Sequence, residues 1–227
     1  MFIVLALALA FGRWQTPATS SGPRVSATGT PYLSCTAWTG KNWTSPTARS
    51  SRTPQFESPK GFLAYAEVKV VVKDGSCENS TTLYVASGSG QPFKISYTKT
   101  PSESNGNGIR LIGWSPSGDK LLAEINLWEY ETDSGYEHVA LVYDASTNMA
   151  KEVHPDRALS RRFGPSCEFE LAVESWKADG EMLINVSKSL ETEEYEQHFC
   201  VKEPRTFVFD LQKETVKDES QERRKAN

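Results

Sequence analysis

With three histidines and four cysteines in 227 residues, the chain has few groups from which to assemble catalytic or metal chemistry. It contains no G-x-S-x-G elbow, no H-E-x-x-H helix, no G-x-x-x-x-G-K-[ST] loop and no G-x-G-x-x-G turn, so the commonest hydrolase, metalloprotease and nucleotide-binding signatures are missing. His138, His154 and His198 each fall in or beside a predicted loop, where an exposed histidine without a chemical task is the commoner case. The cysteines form no C-x-x-C pair, which removes zinc-ribbon and thioredoxin-like readings, and no D-x-D-x-D-G spacing suggests a calcium loop. Neither a metal nor a cofactor is indicated. Basic residues do not cluster beyond Arg223-Arg224-Lys225, and the net charge is −4, which argues against a nucleic-acid partner. The longest apolar run, Met1 to Phe11, is far short of the roughly 20 residues that span a bilayer. It reads as a signal-peptide core within residues 1–12, although it lacks the usual basic flank. The expectation is a secreted or periplasmic protein that is not membrane-spanning.

What the chain has is β pattern. Ile109, Leu111 and Gly113 alternate with Ile112 and Trp114, so both faces of this strand call for cover. Ser115-Pro116-Ser117-Gly118-Asp119 then reads as a tight turn, with proline fixing one φ and glycine supplying a positive one. Leu121, Ala123, Ile125 and Leu127 follow at period two. The pattern predicts a hairpin that is apolar on one face and mixed on the other.

The same order occurs three times. Ser58-Pro59-Lys60-Gly61 precedes the Ser115 turn by 57 positions, and Trp176 follows Trp114 by 62. Each turn is succeeded by a short apolar or aromatic strand at Leu83 to Ala86, Leu141 to Asp144 and Phe207 to Asp210, then by a weaker one at Phe93 to Ile95, Lys151 to Val153 and Glu214 to Val216. Recurrence at a nearly fixed period predicts a repeat architecture of three four-stranded units. The fold class is therefore all-β: three four-stranded antiparallel meanders over residues 56–218, preceded by residues 13–55 and followed by a polar tail, 219–227.

A W-S-P-x-G turn between two strands, followed by a strand and a shorter closing strand, resembles the blade repeat of TolB-type (WD-repeat-like) β-propellers. Ile109 to Pro155 is the best match; the first unit has Glu57 at the tryptophan position, and the third has Ala178 where the proline belongs. Propellers close with four to eight blades, so three units imply an open or incomplete ring. Propellers similar to this one also occur as substrate-gating domains fused to serine peptidases, which the resemblance keeps open as an alternative to a protein-interaction or scaffold role.

Residues 13–55 are dominated by serine, threonine and proline without periodicity and read as a linker. Tyr32, Leu33, Trp38 and Trp43 are large apolar groups there, available to dock on the β domain as an irregular strand. Cys35, Cys77, Cys167 and Cys200 are an even count in a chain expected to be exported, which favours disulfides. Three pairings are possible; Cys167 with Cys200 is preferred because both fall in the third unit, leaving Cys35 with Cys77.

Two loops stand out for function. Residues 128–138 and 190–198 join the second and third strands of successive units and together carry eight carboxylates, which a repeat architecture would place on one rim. Trp128, Tyr130, Glu131, Asp133, Tyr136, Glu193, Glu194 and Tyr195 are the candidate binding residues, suited to a basic protein or peptide partner; a solvated rim that discourages edge-to-edge association is the plainer explanation. The sequence thus supports an extracytoplasmic, non-catalytic interaction module. The alternative is the propeller portion of a peptidase or other hydrolase or lyase.

Overall fold

The computed structural model describes residues 33, 39–42, 44–100, 105–129, 137–188 and 201–219. These residues are nearly all β and form three antiparallel sheets in series, with no closed ring among them. The first sheet comprises β1 (Arg49–Arg52), β2 (Phe56–Glu57), β3 (Leu63–Lys73), β4 (Ser76–Ala86) and β5 (Lys94–Lys99). Its opening strand is broken, so β1 and β2 both pair with β3 and occupy one strand position between them. The second sheet is β6 (Asn105–Trp114), β7 (Lys120–Glu129), β8 (Glu137–Asp144) and β9 (Met149–Val153). The third is β10 (Glu170–Ala178), β11 (Glu181–Ser187), β12 (Arg205–Asp210) and β13 (Thr215–Asp218). Three four-stranded meanders are therefore present, as the repeat predicts.

The linker boundary moves. Arg49–Arg52, which composition assigns to the linker, forms β1 and pairs from Arg49 with Val70 to Arg52 with Glu67. A four-residue polar edge strand needs only backbone partners on one side, so it leaves no apolar alternation to read. Leu33 docks, packing against the core between the first two sheets, and its carbonyl accepts a 2.6 Å hydrogen bond from the Asn79 amide. Tyr32, Trp38 and Trp43 lie outside the described residues. Cys77 and Cys167 are disulfide-bonded rather than free; Cys35 and Cys200, and with them the connectivity, fall outside. No helix of the described residues is long and apolar enough to cross a membrane.

The middle sheet is covered on both faces, as its two-sided apolar pattern requires. Ile109, Leu111, Leu121, Ala123, Ile125 and Leu141 pack against Ala64, Ala66, Val68, Leu83 and Val85 of the first sheet. Ile112, Leu122, Ala140 and Val142 pack against Leu171, Val173, Met182, Ile184 and Phe207 of the third. A helix unforeseen in the sequence, α1 (Pro155–Phe163), fills the connection between the second and third sheets. Proline opens it, Asp156 lies in its first turn and Arg161 and Arg162 in its last, all suited to the helix dipole. Ala158 and Leu159 join the core, while Arg161 and Arg162 donate to the carbonyls of Glu214 and Val216 and so fasten the helix to β13.

The tryptophans explain the repeat. Trp176 donates its indole N–H to the Gly113 carbonyl at 2.8 Å, and Trp114 donates to the Phe56 carbonyl at 3.1 Å. Gly113 and Phe56 each immediately precede the tryptophan position of the earlier sheet, so one stitch joins each sheet to its predecessor. The turns are tied in the same sense: Asp179 accepts from the Ser117 N–H at 2.9 Å, and Lys60 lies 3.4 Å from Asp119. Both aspartates are held below the usual carboxylate range, Asp179 chiefly by that backbone donor and Asp119 chiefly by the Ser117 hydroxyl.

Candidate functional site

The polar end of the seam between the second and third sheets gathers groups that the sequence leaves scattered. Arg110 on β6 and Glu124 on β7 stand opposite each other in the strand register, and both point at β10. There Glu124 accepts the Val173 N–H at 2.9 Å while Arg110 donates to the Val173 carbonyl, also at 2.9 Å. Two side chains thereby stand in for a neighbouring strand along the edge of β10, meeting both polar groups of one residue. Arg110 also approaches Glu124 at 3.2 Å.

The other Glu124 oxygen lies 3.1 Å from His138 Nδ1 on β8. Glu124 is only 2% exposed, and burial by itself would raise its pKa. The hydrogen bonds from His138 and the Val173 N–H, with the Arg110 charge, outweigh that effect and hold the carboxyl below its ordinary value. An ionised carboxylate can only accept, so Nδ1 of His138 donates to it. The His138 side chain remains 30% exposed. Asn126, opposite His138 in the register, has a buried carbonyl oxygen with no hydrogen-bond partner.

Beside this cluster lies Trp128, one of the candidate binding residues. Trp128 is 6% exposed, lying across Gly106, its partner in the β6–β7 register, so closely that any side chain at Gly106 would collide with the indole. Glycine opposite the tryptophan lets the ring lie down on the sheet. Of the other candidate residues, Tyr130, Glu131, Asp133, Tyr136, Glu193, Glu194 and Tyr195 lie outside the described residues. His154 sits at the start of α1, 3.7 Å from Asp156; His198 is outside the described residues.

Arg110, Glu124, Asn126 and His138 are the residues that sequence reasoning missed. A signal was available for the first two: Glu124 and Arg110 interrupt apolar strands, and once the hairpin is paired they fall opposite each other. His138 carried no comparable sign. Among the described residues no cluster of three or more histidine, cysteine or acidic side chains is placed to hold a metal ion. The first sheet presents a second feature on its outer face, where Tyr65 stacks on Tyr84 at 4.8 Å and beneath Arg52 at 5.4 Å, with Phe93 edge-on and Ile95 62% exposed. No family model, curated protein or solved structure matches the chain.

Proposed function

We propose that this protein is an exported, non-catalytic interaction or scaffold module of TolB-like propeller type, which binds a basic protein or peptide at the acidic end of the seam between its second and third sheets. The observation that supports this most is the fixed His138–Glu124–Arg110 cluster, whose strands β7 and β8 flank residues 130–136. A rigid base beneath carboxylate-rich loops suits recognition of cations, because the geometry is set before the partner arrives. The four cysteines and the apolar residues 1–12 support export into an oxidising compartment. Trp128 is buried, so the reading relies on Tyr130, Glu131, Asp133, Tyr136, Glu193, Glu194 and Tyr195 for contact with the partner.

The test uses a fluorescein-labelled lysine- and arginine-rich peptide as probe. Replacing Glu131, Asp133, Glu193 and Glu194 by their amides should weaken binding by about 1 to 3 kcal/mol, and raising salt should weaken the unaltered protein toward the same level. Equal binding by variant and parent, or binding insensitive to salt, refutes the reading. One observation favours a second reading: a partly exposed histidine held by a buried carboxylate is also the arrangement of a general base. That hydrolase reading requires turnover that His138→Asn abolishes, whereas the binding reading requires none.

A further inference from the structure

The end of the seam between the first two sheets holds two buried polar atoms, Thr81 Oγ1 and Asn107 Oδ1, with no hydrogen-bond partner among the described residues. Asn79 and Thr81 stand on the inner face of β4, and Asn107 reaches across from β6 to donate to the Asn79 carbonyl at 2.9 Å. Asn107 is 2% exposed and Thr81 0%. The same Asn107 amide nitrogen also approaches the Thr100 carbonyl at 3.4 Å, so its Oδ1 points the other way, and it has no hydrogen-bond partner; neither has the Thr81 hydroxyl. Into this end of the seam comes Leu33, far away in sequence. Its side chain rests on the core between the sheets, and its carbonyl takes the Asn79 amide N–H at 2.6 Å.

We propose that this seam is a binding site for an extended peptide bearing an apolar side chain, and that Leu33 is its built-in competitor. Leu33 behaves as a peptide ligand would: one aliphatic side chain in an apolar slot and one backbone carbonyl on a fixed side-chain amide. Its fit is incomplete, because the Asn107 oxygen and the Thr81 hydroxyl stay unpaired while it is seated. Buried polar groups left unpaired weaken the state that contains them, so a peptide whose backbone N–H groups reach Asn107 and Thr81 displaces Leu33. Leu33, being tethered, acts at high effective concentration and sets the threshold an external peptide must exceed. The site shares no residue with the acidic end of the other seam and does not depend on that assignment.

The experiment uses the full-length protein, unaltered and as Leu33→Ala, with a fluorescein-labelled peptide of residues 30–36 in which serine replaces the cysteine, followed by fluorescence anisotropy. Removing the competitor should tighten peptide binding by about tenfold or more, the scale of one well-made contact. In the Leu33→Ala background, Asn79→Ala, which removes the donor to the Leu33 carbonyl, should then weaken it by a similar factor, and a peptide with aspartate in place of its leucine should not bind. Melting temperatures establish that each variant is folded. Leu33→Val and Asn79→Ser replace Leu33→Ala and Asn79→Ala should either fail to fold. Equal affinity of the unaltered and Leu33-substituted proteins, or no binding to a folded Leu33 variant, overturns the proposal. So does a crystal structure in which a water bridges Asn107 and Thr81 in a protein that does not bind the peptide.

Discussion

Glu124→Gln tests whether the second seam is held by the network described above. The carboxylate takes His138 Nδ1–H on one oxygen and the Val173 N–H with Arg110 on the other, so all of its partners are donors. Glutamine has the same shape but one NH2 group, which must face a donor whichever way the amide turns. The least costly arrangement points the NH2 at His138 and forces that ring into its other tautomer, while the oxygen keeps Val173 and Arg110. What is lost is the charge on bonds that a carboxylate makes strong, about 2 kcal/mol for a group this buried. At roughly 2 to 4 °C per kcal/mol for a chain of this size, the melting temperature at pH 7 should fall by about 4 to 8 °C. Acid titration supplies an independent check. Because the folded-state pKa of Glu124 is lowered from 4.5, its contribution is complete above that value and disappears as pH falls through the folded one. The gap between parent and variant should therefore close as the pH drops below about 4.5. Calorimetry and urea unfolding across pH 3 to 7 read both quantities. A difference under about 0.5 kcal/mol at pH 7, or one that widens in acid, refutes the assignment.

Three further outcomes follow from the same geometry. Trp176→Phe removes the indole donor to the Gly113 carbonyl while keeping a ring, and should cost about 1 to 2 kcal/mol by urea unfolding; Trp114→Phe, whose bond to Phe56 is equivalent, should cost a similar amount. Gly106→Ala drives a methyl into the Trp128 ring and should cost about 1 to 3 kcal/mol, with a near-ultraviolet circular dichroism change from the displaced indole; a neutral effect would show that the ring is free to lift away. Mass spectrometry of protein from its native host should show loss of about ten to twelve residues and the four fewer protons of two disulfides, whereas an intact Met1 with four free thiols would refute export.

Strand order and sheet count were legible in the sequence because the turn and the tryptophan repeat. Trp114 and Trp176 do occupy equivalent places, but their task, a bond to the sheet before, could not be read from spacing. The spacing also misaligns one hairpin. Ser58-Pro59-Lys60-Gly61 looks like Ser115-Pro116-Ser117-Gly118, which equates Ala64 with Leu121. In the structure Glu57 pairs with Leu63 whereas Trp114 pairs with Leu121, so the first turn is shorter and Leu63 is the true counterpart. A single residue at a turn reverses which face each side chain takes, and nothing local in the sequence announces it. The burial of Trp128 was hidden for a different reason: its surroundings in sequence are acidic and loop-like, whereas its ring lies on Gly106 of the opposite strand. The Glu124 cluster draws on β6, β7, β8 and β10 and becomes visible only when two sheets are placed face to face.

That alignment shows which groups the first sheet turns away from the second. Leu121, Ala123 and Ile125 are buried against it, yet their counterparts on its own outer face are Leu63, Tyr65 and Glu67. Glu67 is satisfied within the sheet, by Arg52 at 3.0 Å and Lys69 at 3.2 Å, and Tyr65 is flanked by Arg52 and Tyr84. Such a face meets its polar groups within the sheet itself. Glu57, at the tryptophan position, fits the same account, because the stitch always runs from a later sheet to an earlier one and the first sheet has no predecessor among the described residues. Glu57→Trp should consequently change stability by less than about 0.5 kcal/mol, the ordinary range for an exposed position, even though tryptophan at 114 and 176 stabilises the fold. Thermal unfolding of this variant beside Trp176→Phe makes the comparison. A gain above about 1 kcal/mol, the size of a net hydrogen bond, would mean that the new indole finds an acceptor on the outer side, and the first sheet would then not be the end of the stack.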